Sequence, residues 1–352
     1  MRVSLKKTEI IAPHFKRRLS GVTSTIVQLI PLMREQGVHI STLGVGLPKT
    51  LPALAFRDLF GLWKSPKGKP FRIWHARRNI EMLCGVFLRD ILKMKLKLIF
   101  TSASQRHHKP FTKWLIRRMD RVIATSTHTG AYLEVPHKVI MHGVDVRRFT
   151  PPQTLDDYFS STGFPGKYAV GCFGRVCSSK GTDLFVDSMI ALLPHYPEWT
   201  ALIAGRTTKQ HYHFEKELRQ KIAKAGLDDR IIFLGEILDT PLWYRRLSLY
   251  VTPSRLEGFG LTPLEAMASQ VAVVTSDVGI FKELVVEGTG TVVKVGDGLA
   301  LTAAIEPYFA DVEKTLEAGK KALIHVHTHF PLEKEASEIE SVYKELFAEK
   351  AL

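Results

Sequence analysis

Cysteine is scarce in this chain of 352 residues, where only Cys84, Cys172 and Cys177 occur. An odd, sparse set without metal-ligand spacing argues against a disulfide framework and a zinc site, and it is typical of a reducing compartment. Long apolar runs are also lacking. The closest, residues 83–103, carries five charged side chains, so we do not expect it to span a bilayer. The start of the chain lacks the apolar core of a secretory signal, so we expect a cytoplasmic location.

Acidic residues are scarce in the first part of the chain. Residues 1–150 hold 28 Lys and Arg against 8 Asp and Glu, a net charge of +20, whereas residues 151–352 hold 21 against 27, a net charge of −6. A basic half predicts an anionic partner, for which membrane phospholipid, a phosphorylated lipid, an acidic sugar and nucleic acid all qualify. The alternative is a basic surface that is only solvated. Because no helix-turn-helix, zinc-finger or RNP-type signature occurs, we expect no nucleic-acid partner.

Strands and helices alternate along the whole chain, which predicts an α/β fold with parallel sheets covered by helices on both faces. The series starts again after Pro151, Pro152 and Gln153, which mark a linker. We therefore predict two Rossmann-like domains, residues 1–150 and 151–330, that face each other across a cleft and bind ligands at the carboxyl ends of their strands. Residues 331–352 form a C-terminal helical segment. The predicted strands are 10–12, 38–43, 71–75, 97–101, 121–125, 169–174, 201–204, 231–234, 249–252, 271–275 and 291–293.

The most informative segment is residues 253–268. Glu257 lies in a loop after an apolar strand, and Glu265 follows after seven intervening residues, one turn into a helix with Thr262 as its predicted N-cap and Pro263 in its first turn. Glycines in the loop allow a ligand to approach the backbone, and the free N–H groups of a helix start suit a phosphate or a sugar hydroxyl. Two nearby carboxylates accept hydrogen bonds from vicinal hydroxyls. The segment therefore predicts a nucleotide-sugar pocket.

This segment resembles the E-x7-E motif of retaining glycosyltransferases of the GT-B fold, specifically family 4. Further segments resemble the same family in the same order, including a Gly-Arg…Lys-Gly loop at residues 174–181, and they span about 150 residues (139–151, 171–181, 202–205, 232–235 and 275–284). The resemblance implies that the N-terminal domain binds the acceptor, that the C-terminal domain binds the nucleotide sugar, and that the last helix packs back towards the N-terminal domain. It also implies front-face attack, in which the departing phosphate oxygen serves as the base.

Roles for individual residues follow from the resemblance. Arg175 and Lys180 would stabilise the departing diphosphate, where charge develops in the transition state, and Gly174 and Gly181 would let the backbone come close. Glu265 would accept hydrogen bonds from the ribose hydroxyls. Glu257 would face the donor hexose together with the backbone N–H groups of three neighbours in the loop, Phe259, Gly260 and Leu261.

No Asp-x-Asp triplet occurs in the chain. Because that is where a divalent metal would sit beside the diphosphate, we expect no metal and no other cofactor. Arg175, Lys180 and helix N-termini would neutralise the leaving group instead.

The N-terminal domain matches the family more loosely. Arg17, Arg18 and Gly21 occupy the place of its glycine-rich first loop, where donor diphosphate and acceptor approach the backbone. The functional histidine that usually follows a middle strand is displaced or absent. His107 is the candidate substitute, with a solvated histidine as the alternative. Arg77, at the end of another predicted strand, is a candidate for contact with acceptor or phosphate.

Several phrases of the first half, including residues 9–13, 15–25, 74–79 and 135–137, resemble the lipopolysaccharide core mannosyltransferases of rhizobia and their relatives. The resemblance implies transfer of mannose from GDP-mannose to the inner core, at a 3-deoxy-octulosonate sugar of a lipid A precursor. The partners would be this anionic lipid-linked saccharide and the inner face of the cytoplasmic membrane. A family 4 enzyme that uses UDP- or ADP-glucose, and a non-enzymatic nucleotide-binding protein, are the alternatives.

Overall fold

The computed structural model describes residues 1–16 and 21–349. The chain forms two compact units, a first unit of Met1–Gly143 with the segment from Leu332 onward, and a second unit of Val144–Pro331. The first boundary lies seven residues before the predicted one at residue 150. The reason is that Val144 pairs with Pro331 and the Phe149 ring packs edge-on against Tyr244 at 5.8 Å, so this stretch belongs to the second unit.

The first unit contains a seven-stranded parallel sheet with the order β3-β2-β1-β4-β5-β6-β7. Its strands are β1 (Ile10–His14), β2 (Ile40–Gly44), β3 (Ala53–Leu54), β4 (Arg72–Ala76), β5 (Leu96–Ser102), β6 (Arg121–Ala124) and β7 (Lys138–Val139). Its helices up to the boundary are α1 (Gly21–Glu35), α2 (Asn79–Val86), α3 (Pro110–Ile116) and α4 (Thr127–Gly130), with 3-10 turns at Leu5–Lys7 and Phe56–Gly61 and a π-helical turn at Phe87–Ile91.

The second unit repeats this plan with a six-stranded parallel sheet of order β10-β9-β8-β11-β12-β13. Its strands are β8 (Tyr168–Phe173), β9 (Trp199–Ala204), β10 (Ile231–Gly235), β11 (Leu249–Thr252), β12 (Ala272–Ser276) and β13 (Gly290–Val293). Its helices are α5 (Thr182–Leu192), α6 (Tyr212–Lys224), α7 (Thr240–Arg245), α8 (Leu261–Ala268), α9 (Phe281–Leu284), α10 (Gly298–Ala310) and α11 (Val312–His329), with 3-10 turns at Leu155–Asp157, Phe159–Thr162, Ser178–Lys180 and Lys209–His211.

The last helix, α12 (Leu332–Ala348), is part of the first unit. Its apolar face, which includes Ile339, Val342 and Leu346, packs with α1 and the first sheet in one buried cluster. Its Glu335 carboxylate accepts hydrogen bonds from the Gly143 backbone N–H at 2.8 Å and pairs with His142 Nδ1 at 2.7 Å. These bonds tie α12 to the stretch where the chain leaves the first unit.

All eleven predicted strands are present in the described residues, with bounds that differ by at most two positions, because apolar runs between turn residues are a local signal. The two additional strands, β3 and β7, are only two residues long and carry no such signal. Within the described ranges, none of the helices has both the length and the apolar character that crossing a bilayer requires.

Candidate active site

The two segments of the second unit that are predicted to bind the donor meet at the carboxyl ends of β8 and β11. These strands are parallel neighbours, with Leu249 opposite Val170 and Tyr250 opposite Gly171. On its other side β8 pairs with β9, so the loop after β8 leaves at the point where the strand order reverses. Open parallel sheets bind ligands at such a switch point. The topology therefore brings the Gly-Arg…Lys-Gly loop and the segment with Glu257 to one place.

Backbone contact between these two loops depends on Gly181. Its φ is +70°, and a Cβ atom there would lie 1.9 Å from the Pro253 carbonyl oxygen, which no side chain tolerates. The close approach is reinforced by Arg255, whose backbone N–H donates to the Ser179 carbonyl at 3.0 Å. Its guanidinium forms two bonds of 2.7 Å to the Asp183 carboxylate at the start of α5. Such a bidentate pair fixes geometry as well as charge.

Arg255 and Asp183 were not among the residues predicted from the sequence. An arginine and an aspartate 72 positions apart carry no local signal that they will pair. Their role here is to position the loops, since both side chains are used in holding them together.

The two predicted donor cations are in different states. Lys180 pairs with the Glu257 carboxylate, and both side chains are partly buried. The Glu257 carboxylate also accepts from the Gly258 backbone N–H at 3.2 Å. Arg175 is exposed and makes no hydrogen bond or ion pair with another described side chain. The structure thus brings Lys180 and Glu257 into direct contact, a pairing that was not predicted from the sequence, while Arg175 presents an exposed guanidinium.

The start of α8 differs from the prediction. The N-cap is Gly260, with φ +87°, and a Cβ there would lie 2.3 Å from the Phe281 ring. Thr262 is therefore not the N-cap. The helix begins at Leu261, two residues before the start that Thr262 as N-cap would give. Phe259 is buried beside this turn.

Glu265 lies in α8, and no cation of the described residues forms an ion pair with its carboxylate. Desolvation raises its pKa to about 7, although the Tyr244 phenol and the Arg148 guanidinium act in the opposite direction. The Tyr244 hydroxyl is buried and approaches Glu265, but no hydrogen bond of ordinary geometry forms between them. A carboxylate in this state is ready to accept hydrogen bonds from a ligand, because they would offset the cost of its desolvation.

Three of the candidates in the first unit are described by the structure, and they do not form a cluster. Gly21 is the first residue of α1. The Arg77 side chain reaches the His75 carbonyl at 3.4 Å, and the His107 ring packs edge-on against Tyr132 at 5.2 Å. Arg17 and Arg18 lie outside the described residues.

A different set of polar residues lies at the carboxyl ends of β1 and β4. Glu81 in α2 is fully buried, pairs with Arg78 at 3.2 Å and accepts the Arg77 backbone N–H at 2.8 Å. His14 at the end of β1 is buried, with Nδ1 2.8 Å from the Val45 carbonyl and Nε2 3.1 Å from the Thr23 hydroxyl. Desolvation lowers the His14 pKa, so the ring is neutral and Nδ1 donates to the carbonyl.

The imidazole of His75 in β4 has a structural role. It is fully buried between Tyr343 of α12, 2.6 Å from Nδ1, and Thr101 of β5, 2.7 Å from Nε2. Burial and the nearby Arg77 lower its pKa well below the usual range. Sequence reasoning missed His14, Thr23, Arg78 and Glu81, since only the sheet topology brings these four residues together.

Comparison with known proteins gives a consistent result. Residues 167–311 match the family described as "Glycosyl transferases group 1". The chain is 58% identical over 346 residues, 98% of both chains, to the lipopolysaccharide core biosynthesis mannosyltransferase LpcC of Rhizobium leguminosarum bv. viciae. It is 32% identical over 246 residues, 68% of this chain and 58% of the other, to the GDP-mannose:cellobiosyl-diphosphopolyprenol alpha-mannosyltransferase of Xanthomonas campestris.

Among solved structures, Anabaena HepE in complex with UDP and glucose superposes with a TM-score of 0.82 at 19% identity, covering 96% of this chain and 100% of that one. At this identity the likeness shows the fold, which is GT-B. The near-full-length relative settles the family as well: the chain belongs to the group 1 glycosyl transferases and is a glycosyltransferase.

Proposed function

We propose that this enzyme transfers mannose from GDP-mannose, with retention of configuration, to the inner core of a lipopolysaccharide precursor in its 3-deoxy-octulosonate region. The observation that carries the proposal is the 58% identity to the Rhizobium core mannosyltransferase over 98% of both chains. GDP-mannose as the donor is supported by the name of the Xanthomonas relative.

The geometry of the second unit supports a nucleoside diphosphate sugar as the donor. Arg175 offers an exposed guanidinium that no described side chain pairs with, and Lys180, in the same glycine loop, pairs with Glu257. Diphosphate oxygens would compete with Glu257 for the ammonium group. Once released, the Glu257 carboxylate would accept a hydroxyl of the donor sugar, so that binding of phosphate and sugar would be coupled. Glu265 would take the ribose hydroxyls.

The first unit supports an anionic acceptor. Arg78, anchored by the buried Glu81, lies at the carboxyl ends of the strands together with Arg77. The net charge of +20 over residues 1–150 would favour a phosphorylated or acidic lipid-linked saccharide and the anionic inner face of the cytoplasmic membrane. We include peripheral membrane association in the proposal for this reason.

A panel of nucleotides tests the donor. GDP at 100 times its dissociation constant should stabilise the folded protein by about 2.7 kcal/mol, and UDP and ADP at the same concentration by much less. GDP-mannose with a lipid A precursor that carries 3-deoxy-octulosonate should give an α-mannosylated product, read from its anomeric NMR signal. Stabilisation by UDP or ADP alone, with transfer of glucose, would contradict GDP-mannose as the donor and favour the alternative, UDP- or ADP-glucose.

Metal independence is part of the proposal. The described residues contain no group of three His, Cys, Asp or Glu side chains that would hold a metal ion, but only activity decides the question. Transfer should continue in excess EDTA, with the acceptor treated likewise, because Arg175 and Lys180 would carry the leaving-group charge. Loss of activity that one divalent ion restores would contradict this.

A further inference from the structure

Two neighbouring helical segments of the first unit expose large apolar side chains. Along α2 and the π-helical turn, Met82, Val86 and Leu88 are buried against the sheet, whereas the outward positions follow at spacings of three, four and four residues. In α3, Leu115 and Ile116 are likewise buried, whereas the aromatic side chains of Phe111 and Trp114 are exposed. We call the six outward residues the apolar ridge: Ile80 (49% exposed), Leu83 (38%), Phe87 (50%), Ile91 (66%), Phe111 (52%) and Trp114 (41%).

The two segments lie side by side. At their first ends the Asn79 side-chain amide donates to the Thr112 hydroxyl at 2.7 Å. At their last ends Arg118 bonds Asp90 at 3.2 Å and lies over the Trp114 ring at 4.6 Å. Since both segments bury their inner faces in the same core cluster, their outer faces point the same way. The six side chains therefore belong to one surface.

The surroundings of the ridge are strongly basic. Residues 77–121 hold 12 Lys and Arg against 3 Asp and Glu. Each of the three acids is already bonded to a cation within the segment. Exposed basic residues flank the ridge at both ends of the two segments, namely Lys93, Lys95, Arg106, Lys109 and Arg117.

We propose that the apolar ridge inserts into the interface of an anionic phospholipid bilayer. Exposed Phe, Trp, Ile and Leu on helices flanked by Lys and Arg form the pattern of interfacial segments, in which apolar side chains enter the acyl boundary and cations meet the head groups. A second copy of the chain would bring the same positive charge to the contact, which opposes self-association. This inference rests on the proposed function, since it names the surface through which the enzyme reaches a lipid-linked acceptor.

Co-sedimentation of the full chain with vesicles tests the ridge. The double variant Ile91→Ser with Phe111→Ser should bind vesicles of equal phosphatidylglycerol and phosphatidylethanolamine roughly tenfold more weakly than the parent. The matched control changes two apolar residues of the second unit that are at least as exposed, Leu238→Ser with Leu299→Ser (96% and 87%), and should bind like the parent. Circular dichroism and melting temperature should be the same for all three proteins.

Two further readouts separate insertion from surface adsorption. Lipids brominated in the acyl chains should quench tryptophan fluorescence in the parent, and Trp114→Phe should remove much of that quenching. Part of the parent's binding should persist at 0.5 M NaCl, where purely electrostatic adsorption is largely screened. Equal binding by the ridge variant and the parent, or binding that salt abolishes completely, would overturn the proposal. A ridge variant that changes only the oligomeric state would identify a self-interface instead.

The proposed function can be tested independently of the apolar ridge. A water-soluble, deacylated acceptor with GDP-mannose measures transfer without a membrane. The ridge variant should match the parent in that assay and lose activity only on acceptor embedded in vesicles. If the parent transfers no mannose to either acceptor, the proposed function is wrong, while the vesicle comparison still decides the ridge.

Discussion

The two units each carry a glutamate within the corresponding helix and surround it differently. Each sheet has a central strand, β1 or β8, whose neighbour across the switch point, β4 or β11, leads into a helix. In α2 the glutamate is Glu81, fully buried, bonded to Arg78 and to the Arg77 backbone N–H. In α8 it is Glu265, whose pKa desolvation raises to about 7 and with which no cation in the described part of the chain forms an ion pair.

This difference shows how one topology is used for two tasks. The Glu81 carboxylate forms its bonds within the protein. It therefore positions the two arginines that follow β4 and contributes to stability. Glu265 keeps its capacity for a ligand, at a cost in stability whenever it is ionised. Functional sites commonly carry such a cost, whereas supporting networks do not. The predictions below test this contrast, beginning with the Gly-Arg…Lys-Gly loop (residues 174–181) of the same unit.

The largest effect on turnover is expected from changes in the Gly-Arg…Lys-Gly loop of the second unit, residues 174–181. Arg175→Ala and Lys180→Ala each remove a cation from the site of leaving-group charge, so each should lower turnover on the order of 10² to 10³ fold. Steady-state transfer from GDP-mannose measures this. Lys167→Ala, which removes an exposed lysine paired with Glu198, is the matched control and should be nearly neutral. Near-parental turnover of both loop variants would show that the diphosphate binds elsewhere.

Glu81→Gln tests the carboxylate that is already bonded within the protein, to Arg78 and to the Arg77 backbone N–H. The change removes the carboxylate charge that pairs with Arg78 at 3.2 Å in a largely buried place, so the free energy of unfolding should fall on the order of 3 kcal/mol. Urea unfolding measures the loss. Glu198→Gln removes an exposed carboxylate from an ion pair and should change stability by less than about 0.5 kcal/mol. Equal stability of the two variants would remove the contrast with Glu265.

Glu265→Gln should raise the free energy of unfolding at neutral pH, whereas Glu81→Gln should lower it. Between about pH 4.5 and pH 7 the unfolded chain has released the Glu265 proton while the folded protein retains it, so the parent loses stability as pH rises through this window. Glutamine does not titrate. The variant should therefore match the parent at pH 5 and exceed it at pH 8, on the order of 2 kcal/mol, in melts without ligand.

The same variant should bind GDP-mannose more weakly at pH 8, because one acceptor oxygen becomes a donor. In the parent, donor affinity should weaken as pH falls below about 7, as Glu265 takes up its proton. Titration calorimetry at several pH values measures both effects. An affinity independent of pH, together with an unchanged affinity in the variant, would assign Glu265 a structural role.

The smallest effect is expected at Tyr244. Among the described residues its buried hydroxyl has no hydrogen-bond partner of ordinary geometry, so Tyr244→Phe should raise the free energy of unfolding by roughly 1 kcal/mol. Thermal melts measure the change, with Tyr250→Phe as the control, because that hydroxyl donates to the Phe173 carbonyl at 3.0 Å and its loss should destabilise. Destabilisation by Tyr244→Phe would show that the hydroxyl does bond Glu265 and supports it.

The sequence by itself determined the alternation of strands and helices and the donor loops of the second unit. These features are local: apolar runs between turn residues specify strands, and Gly181 and Gly260 are required where the backbone has positive φ and no room for a Cβ atom. Each predicted donor residue lies within six positions of one of these glycines, so short sequence motifs contain them all: Arg175, Lys180, Glu257 and Glu265. Thr262 was wrongly predicted as the N-cap, because the capping pattern does not reveal that Gly260, with φ +87°, precedes the helix two residues earlier.

Tertiary structure alone decided the polar network of the first unit and the position of the apolar ridge. His14, Thr23, Arg78 and Glu81 come from β1, α1, the turn after β4 and α2, and their contacts exist only once parallel strands align those ends. The same apolar spacing in α2 and α3 that predicts a buried face also leaves apolar side chains outside. Which face packs on the sheet depends on residues distant in the chain, since burial is a property of the assembled core.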